Sequence, residues 1–200
     1  ATRRYTGPFY AIMRNRPTTR KLLLIMTILA VISCGKNESD NIYKTKAGEY
    51  ASKTGNFVAD FPTEPKHTAI DNKIGLDKFQ LHLYRSTLGP NKIFNVEYSD
   101  YPEHMIKSLP KEQLFNQVVM NLANRMSESF NLQYQKPIEQ HGLNGQKFQL
   151  ELNESAKVNS PDVFILGRVF REGNRVYTIT YVGRNDKNIG SFVDSFRLLK

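Results

Sequence analysis

The run Val163-Phe-Ile-Leu-Gly-Arg-Val-Phe-Arg-Glu-Gly-Asn-Arg-Val-Tyr-Thr-Ile-Thr-Tyr-Val182 decides the fold. Val163–Phe170 is apolar at almost every position, as in a strand covered on both faces. Val176–Val182 alternates, which puts Tyr177, Ile179 and Tyr181 on one face. Between them, Glu172-Gly-Asn-Arg175 has the Gly-Asn pair of a two-residue hairpin connection. A central antiparallel hairpin is therefore expected. The domain has to supply cover for both of its sides.

The flanking sequence can supply it. Ile189, Phe192, Val193 and Phe196 recur at helical spacing, so a short amphipathic helix follows the hairpin. Before it, Leu132–Glu139 and Lys147–Leu152 pair around His141-Gly-Leu-Asn-Gly145, with Phe148, Leu150 and Leu152 inward. Lys111–Ser129 is a helix with Leu114, Phe115, Val118, Val119, Leu122 and Met126 on one stripe; Ser108 can cap it, and Pro110 suits its first turn. Further upstream lie a strand with Phe57, Ala59 and Phe61 alternating, then His67–Asp71 and Leu76–Ser86 about an Asn72–Gly75 turn. Phe79, Leu81 and Leu83 face one way in the second of these, and Phe94, Val96 and Tyr98 form the next buried face. The reading is α+β, in one domain over 56–200.

The first 55 residues read differently. Met13-Arg-Asn-Arg-Pro-Thr-Thr-Arg-Lys21 is basic, Leu22–Ile32 is apolar except for Thr27, and Ser33-Cys34-Gly35 follows. A basic stretch, a short apolar run and a small residue make an export signal over 13–33. Its apolar run rises about 16 Å as a helix, against roughly 30 Å for a bilayer core. Met13 is the expected start of translation, with residues 1–12 a non-native extension. Residues 34–55 are polar apart from Ile42, Tyr43 and Tyr50, and read as a flexible tether.

Charge follows the same division. Of the 28 Lys and Arg that give a formal +9, six fall in residues 1–33, where there is no Asp or Glu. From Cys34 onward 22 basic residues face 19 acidic ones, a balance that gives no support to nucleic-acid binding. The single Cys excludes an internal disulfide.

Val31-Ile-Ser-Cys34 resembles the lipobox of bacterial lipoproteins. The resemblance implies cleavage between Ser33 and Cys34, and diacylglyceryl attachment to the Cys34 thiol. Two or three acyl chains hold a protein on a membrane far more firmly than one. Gly35 in place of Asp lacks the common inner-membrane retention signal, which points to the outer membrane, on its periplasmic or surface side. A second resemblance is to the PsbP-like family. It rests on the order of Phe57-Val-Ala-Asp-Phe-Pro62, Val96-Glu-Tyr-Ser-Asp-Tyr-Pro102, Gly142-Leu-Asn-Gly145, Gly173-Asn-Arg-Val-Tyr177 and Phe192-Val-Asp-Ser-Phe196. It implies an antiparallel β-sheet flanked by helices, an α/β/α sandwich, and a non-enzymatic binding or accessory module.

Few residues carry recognisable chemistry. His67, His82, His104 and His141 have no metal-ligand spacing, and the best grouping is His82 with His67 on its hairpin partner. No metal and no cofactor is expected. Asp60, Glu97 and Asp100 lie on or beside strands without forming a catalytic pattern, and no nucleophile motif is present. Asp194 is placed to cap its helix or pair with Arg197. Arg168, Arg171, Arg175 and Arg184 gather on the last hairpin as a possible binding surface for anionic headgroups, with Arg168 inside an otherwise apolar strand. The leading expectation is a lipid-anchored envelope protein with a non-catalytic domain and a protein partner in the envelope. The alternative is a small envelope enzyme or metal-dependent accessory factor, which a deep polar pocket with converging His or acids would favour.

Overall fold

The computed structural model describes residues 42–74, 76–107, 109–157 and 162–199. The signal segment, the cleavage site between Ser33 and Cys34, and Ser108 lie outside them. The described residues all fall in one compact unit, 32–200. In chain order they form β1 (Ile42–Lys44), β2 (Tyr50–Ser52), β3 (Phe57–Ala59), β4 (Lys66–Ile74), β5 (Asp77–Thr87) and β6 (Ile93–Asp100). There follow α1 (Glu103–Ile106), α2 (Lys111–Met126), β7 (Phe130–Gln140), β8 (Leu143–Leu152), α3 (Glu154–Lys157), β9 (Phe164–Glu172), β10 (Arg175–Gly183), α4 (Asn188–Ser195) and β11 (Arg197–Leu198). The fold is mixed and dominated by antiparallel sheet.

Seven strands run in the order β4-β5-β6-β10-β9-β8-β7, and β10 is the middle one. Two meanders meet there: β10 pairs with β6 on one side (Tyr177↔Tyr98) and with β9 on the other (Tyr177↔Phe170). Gly173 turns the β9–β10 hairpin at φ 59°, a left-handed conformation that glycine adopts at least cost. The β7–β8 turn places His141 and Gly142 at positive φ (50° and 80°), the pattern of a tight primed turn.

Each face of the sheet has its own core. On one, Tyr177, Ile179 and Tyr181 of β10 join Phe94, Val96 and Tyr98 of β6, under Phe57, Phe192 and Phe196. On the other, Phe148, Leu150 and Leu152 of β8 and Val169 of β9 meet Leu114, Phe115, Val119 and Ala123 of α2. The helix stripe packs as its spacing predicts. Pro110 occupies the N-cap rather than the first turn, with no side-chain cap bond.

Close approach fixes the β8–β9 register. A Cβ on Gly167 would sit 2.1 Å from the buried Phe148 ring, and one on Gly145 would sit 2.3 Å from the Val169 carbonyl oxygen.

Residues 42–55 correct the tether reading. A second, four-stranded sheet runs β1-β2-β3-β11, with β2 paired to β3 (Ala51↔Val58) and β11 to β3 (Arg197↔Val58). Ala51 and Ser52 are buried, and the Ser52 hydroxyl bonds the Tyr84 hydroxyl at 3.1 Å. Composition misled because this stretch adds few apolar side chains of its own; backbone pairing and a shared core give it order.

Phe196 is where the two sheets and α4 converge. Its ring lies 6.0 Å from Phe57, 5.6 Å from Phe170 and 5.3 Å from Tyr177, and it is fully buried. Phe196→Ala is expected to cost about 3–5 kcal/mol, the range for a buried aromatic truncated to a cavity. Urea unfolding measures it, and a loss below about 1 kcal/mol would mean that the neighbouring rings collapse into the space.

Candidate functional site

Helix α2 contacts β7, β8 and β9, so it roofs only half of its face of the large sheet. Beside it an open cleft of about 430 Å³ runs over β5, β6 and β10. The strand pairing explains its make-up. Leu81 lies opposite Ser99 and Leu83 opposite Glu97 on β5–β6, while Thr178 lies opposite Glu97 across β6–β10. One strand position therefore offers polar groups to the cleft at Glu97, Ser99 and Thr178. The alternate positions Val96 and Tyr98 belong to the apolar core behind. Phe79, Leu81 and Leu83 do share a face, but Phe79 and Leu81 line this cleft; Tyr84 and Ser86 are the buried side chains of β5.

The opposite wall is α2, which presents Val118, Asn121, Asn124 and Arg125. Phe79 and Tyr101 close one end as a tilted aromatic pair 5.0 Å apart. Glu97 and Arg125 are the charged residues of the lining, one of each sign. Neither makes a direct hydrogen bond or ion pair among the described residues, although the Arg125 charge acts on both Glu97 and Tyr101. Arg85 lies on the same face as Glu97, one pair further along the sheet, opposite Asn95; its Nε donates to Asn95 Oδ1 at 3.0 Å, its charge acts on Glu97, and burial holds its guanidinium below the usual range.

The arginines of the last hairpin are not one surface. Arg175 makes a bidentate pair with Asp100 (2.7 and 2.6 Å), donates to the Thr54 carbonyl at 2.7 Å and covers the Tyr98 ring at 4.2 Å. Arg168 donates to Gln140 Oε1 and Asp194 Oδ1. Its neighbour Gln140 is buried and uses its amide nitrogen on the carbonyls of Val193, Asp194 and Phe196 at 2.8–3.1 Å. The C-terminal carbonyls of α4 are thus satisfied by the β7–β8 hairpin. Arg171 donates to the Gly173 carbonyl at 2.7 Å, and exposed Arg184 follows the opposite end of β10 from Arg175. Pairing in a strand alternates faces and spreads residues along its length, so the count on the hairpin did not give a patch. Asp194 pairs with Arg168 rather than Arg197, which holds Glu49 through two contacts of 2.6 Å. That pairing keeps the Glu49 carboxyl below its ordinary value.

His67 and His82 do come together across β4–β5. Their Nε2 and Nδ1 atoms share a 3.1 Å hydrogen bond, with one ring donating to the other, and the rings stack on Tyr84 and Tyr98 respectively. Neither lines the cleft. Of the other two histidines, His104 reaches Asp77 at 3.1 Å and His141 donates to the Asp194 carbonyl at 2.8 Å. Among the described residues no group of three or more His, Cys, Asp or Glu gathers as a metal site. The Asp60 backbone amide donates to Ser195 Oγ at 2.7 Å, and Asp60 does not line the cleft.

No family model matches the chain, and no curated protein matches it. Among solved structures it is similar to the solution structure of cyanobacterial PsbP (CyanoP) from Synechocystis sp. PCC 6803. The TM-score is 0.49 at 11% identity, covering 85% of this chain and 99% of that one.

Sequence reasoning noted Glu97 but gave it no role. Its signal was a carboxylate alternating with Val96 and Tyr98 in a strand whose other face is core. Burial pushes its carboxyl above the usual range, against the lowering pull of Arg125 and Arg85. The folded state then holds that proton more tightly than the unfolded chain does. This contribution to stability is complete at acid pH and is lost as pH rises through the raised value. Glu97→Gln is expected to raise the Tm at pH 7 and to leave it nearly unchanged at about pH 3.5, below the ordinary carboxylate range. Thermal unfolding at both pH values checks this, and a lower Tm at pH 7 would show that the carboxylate is held by a favourable contact.

Proposed function

We propose that this is a lipid-anchored cell-envelope protein whose domain is a non-catalytic binding module, with the cleft beside α2 as its binding site. The observation that carries the binding reading is Glu97: a carboxylate at the floor of an open cleft, with hydroxyls and amides around it and no direct partner among the described residues. Buried charge is costly unless it is matched, and a ligand can supply the match. The volume falls within the roughly 300–1,000 Å³ usual for small-molecule pockets.

The anchor is supported by the sequence Val31-Ile-Ser-Cys34 after its apolar run. Among the described residues no helix is long and apolar enough to cross a membrane. We read the layering as a PsbP-like α/β/α sandwich, with α2 on one face of the large sheet and α4 with the small sheet on the other. We place the protein at the outer membrane, on the periplasmic or surface side.

The same Glu97 is what favours the second reading, a small envelope enzyme, since a carboxyl of raised pKa in a cleft suits a general acid. We rank it behind binding because the described lining brings no His, Cys or second carboxylate to Glu97.

The anchor is tested by growing bacteria that express the chain on radiolabelled palmitate. The expected result is a labelled protein in the membrane fraction, with label lost entirely in Cys34→Ser. Label retained by that variant, or an unlabelled soluble wild type, would overturn the anchor.

A further inference from the structure

The cleft holds one negative and one positive side chain, and each lacks a direct partner among the described residues. Glu97 comes from the sheet floor and Arg125 from the last turn of α2, so they stand on opposite walls. They are too far apart for an ion pair, yet each lies within range of the other's charge. A guanidinium that could close onto a buried carboxylate would normally do so, since unpaired buried charge is expensive. Here the gap between them is the cleft itself.

We infer that the cleft binds a zwitterion with an apolar substituent, in the form of a free α-amino acid, whose ammonium pairs with Glu97 and whose carboxylate pairs with Arg125. This rests on the binding reading above and names its ligand class. The other walls fit each part of such a molecule. Ser99 and Thr178 flank Glu97 and offer hydroxyl oxygens to the remaining ammonium protons. Asn121 and Asn124 stand on α2 near Arg125 and offer amide donors to a carboxylate. The tilted Phe79–Tyr101 pair, with Leu81, forms the apolar end, which selects an aromatic side chain. A simple cation would leave Arg125 unmatched, and a simple anion would leave Glu97 so. Arg85 lies on the same face further along β5, where its Nε donates to Asn95; it does not line the cleft, so Arg125 is the guanidinium that a ligand in the cleft can meet.

The test uses the full chain purified in detergent, titrated calorimetrically and by amide NMR with L-phenylalanine, phenethylamine, 3-phenylpropionate and phosphoethanolamine. L-phenylalanine is expected to bind and to shift the side-chain amides of Asn121 and Asn124. The three analogues, each lacking one charge or the apolar group, are expected to bind about tenfold more weakly or worse, as for the loss of one charged hydrogen bond. Glu97→Gln, which the pH argument makes no less stable, is expected to weaken L-phenylalanine by a similar factor and leave 3-phenylpropionate unchanged. Arg125→Gln, on an exposed helix position, is expected to weaken L-phenylalanine and leave phenethylamine unchanged. A single-charge analogue or phosphoethanolamine that matches L-phenylalanine would overturn the amino-acid assignment while keeping the cleft as a ligand site. If no compound moves any cleft amide, both this inference and the binding reading fall.

Discussion

A strand that is apolar on both faces has to be covered twice, and β9 imposes that condition on the whole chain. Its Leu166 and Phe170 need a roof on one side, which α4 and the small sheet provide. Its Ile165 and Val169 belong to the cluster on the other side, with α2. Both helices therefore follow from one stretch of sequence. So does the cleft. A single helix is too narrow to cover seven strands, and α2 settles over β7–β9, leaving the β5–β6–β10 half of that face open. The chain fills the open half with polar side chains at alternate positions, so that water or a ligand can lie against it.

Much of the fold was legible in periodicity. The central hairpin, the Phe94–Val96–Tyr98 face, the Phe148–Leu150–Leu152 face and both long helices stand where their patterns put them, within a few residues. Each buries a contiguous run of apolar side chains, and burial is what periodicity reports. The strands at 42–44 and 50–52 were illegible for the same reason. They are three residues long and depend on the edge of β3, whose other side is held by β11 from the far end of the chain. Residues 1–41, which carry the signal and anchor reading, rest on the sequence alone.

The site was harder to read than the fold. Arg168 was singled out as an anomaly in an apolar strand, and its role proved internal: with Gln140 it holds the end of α4. A charge inside an apolar strand can serve packing when a helix terminus lies above it, and nothing local in sequence reveals that terminus. Glu97 is the opposite case. It looked ordinary among scattered acids and became distinctive only once the register set it beside Ser99 and Thr178, across from Arg125. Sequence gives the alternation, but which neighbouring strand and helix complete the cavity is a long-range fact.

The small sheet also bears on biogenesis. β3 is joined on one side to β2, made early, and on the other to β11, made almost at the end. Gln140 and Arg168 likewise wait for α4 before their bonds can form. The ribosome must release nearly the whole polypeptide before the native closure exists, and contacts of such long sequence separation form slowly. For a chain exported as proposed above, through a channel that admits only unfolded polypeptide, this delay is an advantage. It keeps the polypeptide threadable during the interval in which it must be handed across.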